Sequence, residues 1–257
     1  MCYNRVIDKQ KGMPVIHSKA GSGNMAVIVV SGMIGSGKST LTELVSRHLE
    51  TKPFYEPVTD NPVLPMYYKD AKRYGFLLQT FFLNRRFKMI KDALRQKNNV
   101  LDRSIYEDAL FTKINFESGN IEEEEYKVYL DLVDNMMEEL AELPKKSPDL
   151  LLHVDADFDT ILNRIEKRGR SFEQITNDEE GRELHDYYKR VWSAYPGWFD
   201  NYEESEKISL DMTKNDLSTD EGKANILTMI DNKLLELGLI DEKQLETLKV
   251  KVLNKEW

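Results

Sequence analysis

One cysteine, Cys2, occurs in 257 residues. No internal disulfide can form and no zinc site can be built from thiols, which fits a reducing, cytoplasmic setting. Long apolar runs are missing too: none approaches the ~20 residues that span a bilayer. The N-terminus carries no hydrophobic segment of signal-peptide type. Together these absences argue against a membrane partner. Histidine is scarce. His17, His48, His153 and His185 share no ligand-like spacing and read as surface or packing residues. There is no basic excess: 36 Lys and Arg stand against 45 Asp and Glu, a net charge of −9. General nucleic-acid affinity comes from clustered Lys and Arg, so that class is disfavoured. A small anionic ligand in a local basic pocket is still allowed.

What is present suffices for a core. Hydrophobic residues make up 40% and aromatics 10%, enough for one large α/β domain or two small ones. Residues 1–24 are polar and without period, with Gly12, Pro14 and Gly-Ser-Gly at 21–23, and read as a flexible tail. Met25 then opens "MAVIVVSG" and offers an alternative start that gives a tidier domain. Residues 25–257 are expected to form one domain, with C-terminal helices at 222–253 packed on it.

The stretch 26–30 is short, β-branched and bounded by Ser31-Gly32, the mark of a buried parallel strand. Residues 98–102, 149–155 and 207–211 look similar, and 52–56 is a weaker fifth. Helical patterns fill 38–50, 70–97, 104–117, 121–142, 157–169, 179–194 and 222–238, where Gly238 is a candidate cap. The acidic run 122–125 suits the positive end of a helix dipole. This alternation predicts a doubly wound, five-stranded parallel sheet flanked by helices. Ligands then sit at the carboxyl ends of the strands. Ser31, Glu56, Asp102 and Asp155 all fall at such ends.

Residues 32–40 read Gly32-Met33-Ile34-Gly35-Ser36-Gly37-Lys38-Ser39-Thr40. They satisfy G-x-x-x-x-G-K-S/T between a buried strand and a helix, the context that makes this motif specific. Glycines let backbone N–H groups turn inward around phosphate oxygens. Lys38 supplies a point charge to the β- and γ-phosphates, the Ser39 hydroxyl suits Mg²⁺, and the helix N-terminus adds positive potential. The loop implies a P-loop fold and a nucleoside triphosphate. It does not choose between ATPase, GTPase, kinase and motor.

Three further clusters bear on that choice. Glu56, in "FYEPV", is ionised at neutral pH and can accept a hydroxyl proton; it also reads as an exposed charge before a turn stiffened by Pro57. Asp102-Arg103-Ser104 follows a strand: Asp102 can hold Mg²⁺ or cap the next helix. Arg103 can keep Glu56 ionised and draw on phosphate oxygens. In "RIEKRGRSFE", Arg164 and Arg168 share a helix face, Gly169 breaks the helix, and Arg170 and Glu173 follow. Three arginines there suit a lid over a transferred phosphoryl group, or simply a solvated basic face.

The segments "GMIGSGKST", "FYEPVTDNPVLPMYYKD", "YGFLLQTFFLNRRFKMI", "VLDRSIYEDALF", "PDLLLHVD" and "RIEKRGRSFEQ" occur in this order. On them the chain resembles the deoxynucleoside kinase family, particularly its bacterial deoxyadenosine/deoxyguanosine branch, over roughly residues 26 to 212. The resemblance implies ATP as donor, Mg²⁺, transfer to the 5′-hydroxyl of a deoxynucleoside in nucleotide salvage, and a homodimer. It implies Glu56 as general base, Arg103 as its partner, and Arg164, Arg168 and Arg170 as lid arginines. It implies Gln79 on the nucleobase edge and Tyr68 with Glu173 on the sugar 3′-hydroxyl. Arg86 and Asp108 match a charged pair near the base of members that accept purines or cytidine, so deoxyadenosine or deoxyguanosine is favoured and deoxycytidine allowed. Without the resemblance, Tyr68, Gln79 and Arg86 read as surface or packing residues. Animal members usually carry Glu-Arg-Ser at 102–104 and a longer segment after Glu56; both departures agree with the bacterial type.

Two rivals stand beside this reading. A thymidylate-type nucleotide kinase shares the loop, the acid-arginine pair and the lid, but is expected to carry Arg before the Glu-Pro and Gly after it; here Tyr55 precedes and Val58 follows. A catalytically silent, kinase-like structural subunit would have no need of Lys38, Glu56, Asp102, Arg103 and the lid arginines together.

Overall fold

The computed structural model describes residues 26–56, 61–94, 99–141 and 147–257. The expected tail at 1–24, the alternative start at Met25, and Pro57 lie outside them. Five strands form one sheet: β1 (Val27–Gly32), β2 (Lys52–Phe54), β3 (Asn99–Asp102), β4 (Leu150–Asp155) and β5 (Glu206–Asp211). All are parallel, in the order β2-β3-β1-β4-β5. The doubly wound α/β expectation therefore holds.

The strand sequences explain the layering. All six residues of β1 are buried. Ile28 and Val30 join a cluster with Leu41 and Val45, while Val27 and Val29 join another with Phe87 and Leu140. Successive side chains of a strand point to opposite faces, so helices must cover both. That is why the run is apolar throughout instead of alternating. Each fully buried Val or Ile contributes roughly 1.5–3 kcal/mol.

The helices are α1 (Lys38–His48), α2 (Leu64–Lys69), α3 (Ala71–Leu94), α4 (Ile105–Glu117), α5 (Glu123–Ala141), α6 (Phe158–Arg168), α7 (Glu179–Asp200), α8 (Asp220–Glu236) and α9 (Glu242–Asn254). Several boundaries differ from expectation, for physical reasons. β2 stops at Phe54, so Glu56 stands two residues beyond the strand. The 70–97 helix is preceded by the separate α2, because Asp70 leaves helical geometry at φ −153°, ψ 82°; 95–97 lie outside the described residues. Asp102 is not a helix cap. It ends β3, and Ser104 caps α4, its side chain accepting from the Glu107 N–H while Glu107 reaches back to Ser104. The helix expected at 179–194 runs on through Pro196 and Gly197 to Asp200. Core anchoring by Tyr195 and Trp198 on that last turn outweighs the local breakers.

Gly169 ends α6 in the left-handed region at φ 69°, as its position suggested. Gly238, at φ 66°, follows α8 and donates to Leu235 O. α8 places Ile226, Leu227, Ile230 and Leu234 in the β1 cluster. His48 Nε2 lies 3.0 Å from both Asp231 oxygens, joining α1 to α8 inside the protein. His48 and His153 are thus packing residues and His185 is half-buried, while His17 lies outside the described residues.

Candidate active site

Parallel register brings the carboxyl ends of β1 and β3 together. Val30 pairs with Asp102, and the Arg103 N–H donates to Val30 O at 2.8 Å. The phosphate loop leaves β1 at this point. Gly32, Gly35 and Gly37 have φ of 145°, 80° and 106°. A Cβ on Gly32 would lie 2.6 Å from Val154 O, and one on Gly35 2.6 Å from Ile165 Cγ1. Glycine is therefore demanded twice, by conformation and by space. Gly37 begins α1 without a side-chain cap, leaving the first-turn N–H groups available to an anion.

Lys38 is buried and donates to Met33 O at 2.8 Å. Burial, then the nearby Arg103 charge, lowers its ammonium to about 8 despite Asp102 and Glu56. Ser39 Oγ donates to Asp102 Oδ2 at 2.5 Å. Asp102 Oδ1 is buried and has no hydrogen-bond partner among the described residues. A hydroxyl beside an unpartnered carboxylate oxygen is a donor set of the hard-oxygen kind that Mg²⁺ takes.

Glu56 Oε1 accepts from Arg86 Nη2 at 2.7 Å and lies 3.3 Å from Arg103 Nε. Burial alone would push its carboxyl up. Arg103, Arg86 and Lys38 outweigh burial and hold it at about 2. The expected Glu56–Arg103 pair is present, but Arg86 is the closer partner. Arg86 also donates to Asp108, Nε to Oδ2 at 2.9 Å and Nη2 to Oδ1 at 3.2 Å, and through Nη1 to Asp102 O at 2.9 Å. The expected Arg86–Asp108 pair is therefore one limb of a hub that also holds Glu56. The hub role was missed. Its trace in the sequence is that Arg86 falls between Leu83, Phe87 and Ile90, on a helix side that carries core residues. A buried guanidinium requires carboxylates. Burial raises the Asp108 carboxyl, with Arg86 opposing.

Arg103 adopts φ 78°, a left-handed conformation costing on the order of 1–3 kcal/mol in a non-glycine residue. Its guanidinium lies 4.6 Å from the Phe111 ring centroid. Gln79 and Arg86 stand two turns apart on α3 and both are buried, so neither is a surface residue. Beside them Val63, Leu64, Tyr67 and Leu78 pack with Tyr68, Phe81, Phe82 and Phe172 into an apolar wall. The Tyr68 ring lies 5.4 Å from that of Phe172. Burial raises the Tyr68 hydroxyl well above its ordinary range, and the nearby Tyr188, Tyr187 and Glu173 add to this.

The lid arginines divide. Arg164 faces the phosphate loop, Nη1 donating to Ser36 O at 2.8 Å and Nη2 to Met212 O at 3.0 Å. Arg168 and Arg170 both donate to Glu173, the latter at 3.2 Å. Glu173 is itself buried. The single basic cluster expected at 164–170 is thus two groups, and the solvated-face reading fails for Arg164.

A model of the family described as deoxynucleoside kinase matches residues 28–236. The chain belongs to the deoxynucleoside kinase family. It is 50% identical over 219 residues to a deoxyguanosine kinase of Lactobacillus johnsonii, covering 85% of this chain and 96% of that one. It is 51% identical over 213 residues to a deoxyadenosine kinase of Lactobacillus acidophilus, covering 82% and 98%. Among solved structures, deoxyadenosine kinase from M. mycoides with bound dATP aligns with TM-score 0.63 and 30% identity, over 80% of this chain and 99% of that one. This deoxynucleoside kinase is a phosphotransferase whose acceptor is a deoxynucleoside, and the thymidylate-type rival falls away.

Proposed function

We propose that this kinase transfers the γ-phosphoryl group of ATP to the 5′-hydroxyl of a purine deoxynucleoside, deoxyadenosine or deoxyguanosine, with deoxycytidine as a further acceptor. The observation that carries the reading is Glu56: a carboxylate held ionised by Arg86 and Arg103, at the sheet end from which the phosphate loop springs. The acceptor class is supported by the buried Arg86–Asp108 pair and by the deoxyguanosine and deoxyadenosine kinases that the chain resembles.

ATP docks on residues 32–40, with the loop N–H groups, the α1 N-terminus and Lys38 around its phosphates. Ser39 and Asp102 would hold Mg²⁺, which supplies charge neutralisation to the phosphate oxygens. Gln79 and the Arg86–Asp108 pair face the base, Tyr68 and Glu173 the sugar. Glu56 aligns the 5′-hydroxyl and takes its proton. A carboxylate near 2 is a weak base, but a loose transition state asks little of the base until the bond to phosphorus is largely formed. Arg103, Lys38 and the lid arginines Arg164, Arg168 and Arg170 stabilise the transferring group.

Residues 25–257 act as one kinase domain, a reading supported by α8 packing into the β1 cluster. A homodimer is supported by the family resemblance and by Leu77 and Val128, half exposed on α3 and α5. A cytoplasmic setting is supported by the single cysteine; no helix among the described residues is long and apolar enough to cross a membrane.

Initial rates with ATP and each of the four deoxynucleosides test the acceptor: the two purine deoxynucleosides should lead, and thymidine in first place would refute the assignment. Glu56→Gln should lower kcat by ~10²–10⁴ with deoxynucleoside affinity nearly kept. Near-normal turnover in that variant removes Glu56 as base. A wild type that phosphorylates no deoxynucleoside would favour the silent-subunit reading.

A further inference from the structure

The transfer scheme leaves one buried carboxylate of this region unused, Glu107 on α4. It is completely shielded from solvent. Its Oε1 accepts the N–H of Gly32, the first residue of the phosphate loop, at 3.0 Å. Its Oε2 accepts the N–H of Ser104, the residue after Asp102-Arg103, at 3.2 Å. A third element closes the knot. The Tyr195 hydroxyl of α7 lies 2.8 Å from Glu107 Oε1 and 2.8 Å from Gly32 O, one hydrogen serving two acceptors.

One carboxylate thus joins two segments that the chemistry needs in register. Gly32 opens the loop that cradles the donor phosphates, and Ser104 follows the residues that face metal and base. Both segments turn through positive φ, Gly32 at 145°, which glycine adopts freely, and Arg103 at 78°, which strains a non-glycine residue. Such strain persists only where the surroundings over-determine it. An ordinary capping glutamate accepts one local N–H at the helix start. Glu107 does this and also takes a hydrogen bond from a residue 75 positions earlier in the chain, an acceptor that capping alone does not require. Burial raises its carboxyl, with Arg103, Lys38 and the Gly32 N–H opposing.

We propose that Glu107, with Tyr195, is a positioning residue for phosphoryl transfer, fixing the donor loop at Gly32 against the Asp102-Arg103 segment. The inference rests on the kinase reading given above. A glutamine at 107 can accept with its oxygen, but its amide nitrogen then faces Gly32 or Ser104 as donor against donor. One backbone N–H is left unpaired and the two segments lose their common anchor. Misplacement by ~1 Å costs on the order of 100-fold in rate.

The test measures kcat, KM for ATP and deoxynucleoside Kd for wild type, Glu107→Gln and Tyr195→Phe, with activities normalised to folded protein by thermal unfolding. Glu107→Gln should lose ~10–100-fold in kcat while deoxynucleoside Kd stays within about two-fold. A kcat per folded molecule within about two-fold of wild type overturns the role, and so does a loss that appears in Kd instead of kcat. Should Glu107→Gln not fold, Tyr195→Phe decides. It keeps both N–H bonds to Glu107 and should lose ~3–10-fold in kcat; no loss overturns the proposal. The wild type in the same assay keeps the two readings apart. Its inertness towards every deoxynucleoside refutes the proposed function, whereas an active wild type with an equally active Gln variant refutes only Glu107.

Discussion

The proposed donor side and the proposed acceptor side of the site are built in opposite ways. The donor side is nearly continuous in sequence: residues 32–40 leave β1 and enter α1, and their geometry is set by three glycines at positive φ. The acceptor side is assembled from distant pieces. Glu56 follows β2, Arg86 comes from α3, Asp108 from α4, and one guanidinium holds both carboxylates. Backbone conformation fixes the first, buried charge the second. The donor side should therefore weaken in steps as single side chains that brace the loop are changed, while the acceptor side should fail as a unit when its central cation is removed.

Arg86→Met is the strongest test of that contrast. It leaves Glu56 and Asp108 without their shared partner inside the protein. Breaking a buried pair from one side costs about 3–5 kcal/mol, read as a lower unfolding midpoint in guanidinium chloride. Turnover per folded molecule should also fall, because Glu56 loses its closest partner. Unfolding within about 1 kcal/mol of wild type would show that Arg103 alone can hold Glu56.

A second prediction concerns pH. The Glu56 carboxyl is held at about 2 in the folded protein against 4.5 ordinarily. A depressed carboxyl contributes stability that is present above its unfolded value and is lost as pH falls through the folded one. Asp108 and Glu107, raised by burial, work in the opposite sense, so the quantity to follow is the difference between wild type and Glu56→Gln, which carries Glu56 together with the lift it gives Asp108. That difference should shrink between pH of about 4.5 and 2, by an amount on the order of 2–3 kcal/mol. A pH-independent difference would mean that Glu56 is not held ionised by the two arginines.

The same contrast explains what could be read from the sequence. The loop at 32–40 was legible because motif, strand and helix are contiguous. The sheet was legible because β1 and β4 are apolar on both faces. Asp102 was legible as a strand-end acid, whereas Glu56 stands two residues beyond its strand. The double role of Arg86 was not, since helical spacing places its side chain without revealing which distant carboxylates meet it. The reach of α7 past Pro196 was hidden for a related reason, because propensity is local and the anchoring of Tyr195 and Trp198 is tertiary. The division of the lid arginines was hidden as well. Arg164 and Arg168 share a helix face, yet one meets Ser36 and the other Glu173.

That division gives the smallest and most selective prediction. Arg164 braces the donor loop from outside, donating to Ser36 O and Met212 O. Arg164→Met keeps most of the stem packing and removes both hydrogen bonds. Each charge-assisted bond at a half-buried site contributes on the order of 1 kcal/mol, so KM for ATP should rise by ~5–30-fold. Deoxynucleoside Kd should stay within about two-fold, because among the described residues Glu56, Arg86 and Asp108 share no hydrogen-bond partner with Arg164. Arg168→Met should do less to ATP in the absence of acceptor, since its guanidinium is engaged with Glu173. Equal effects of the two substitutions on ATP binding would mean that the arginines act as one lid and that donor and acceptor sides are not separately built.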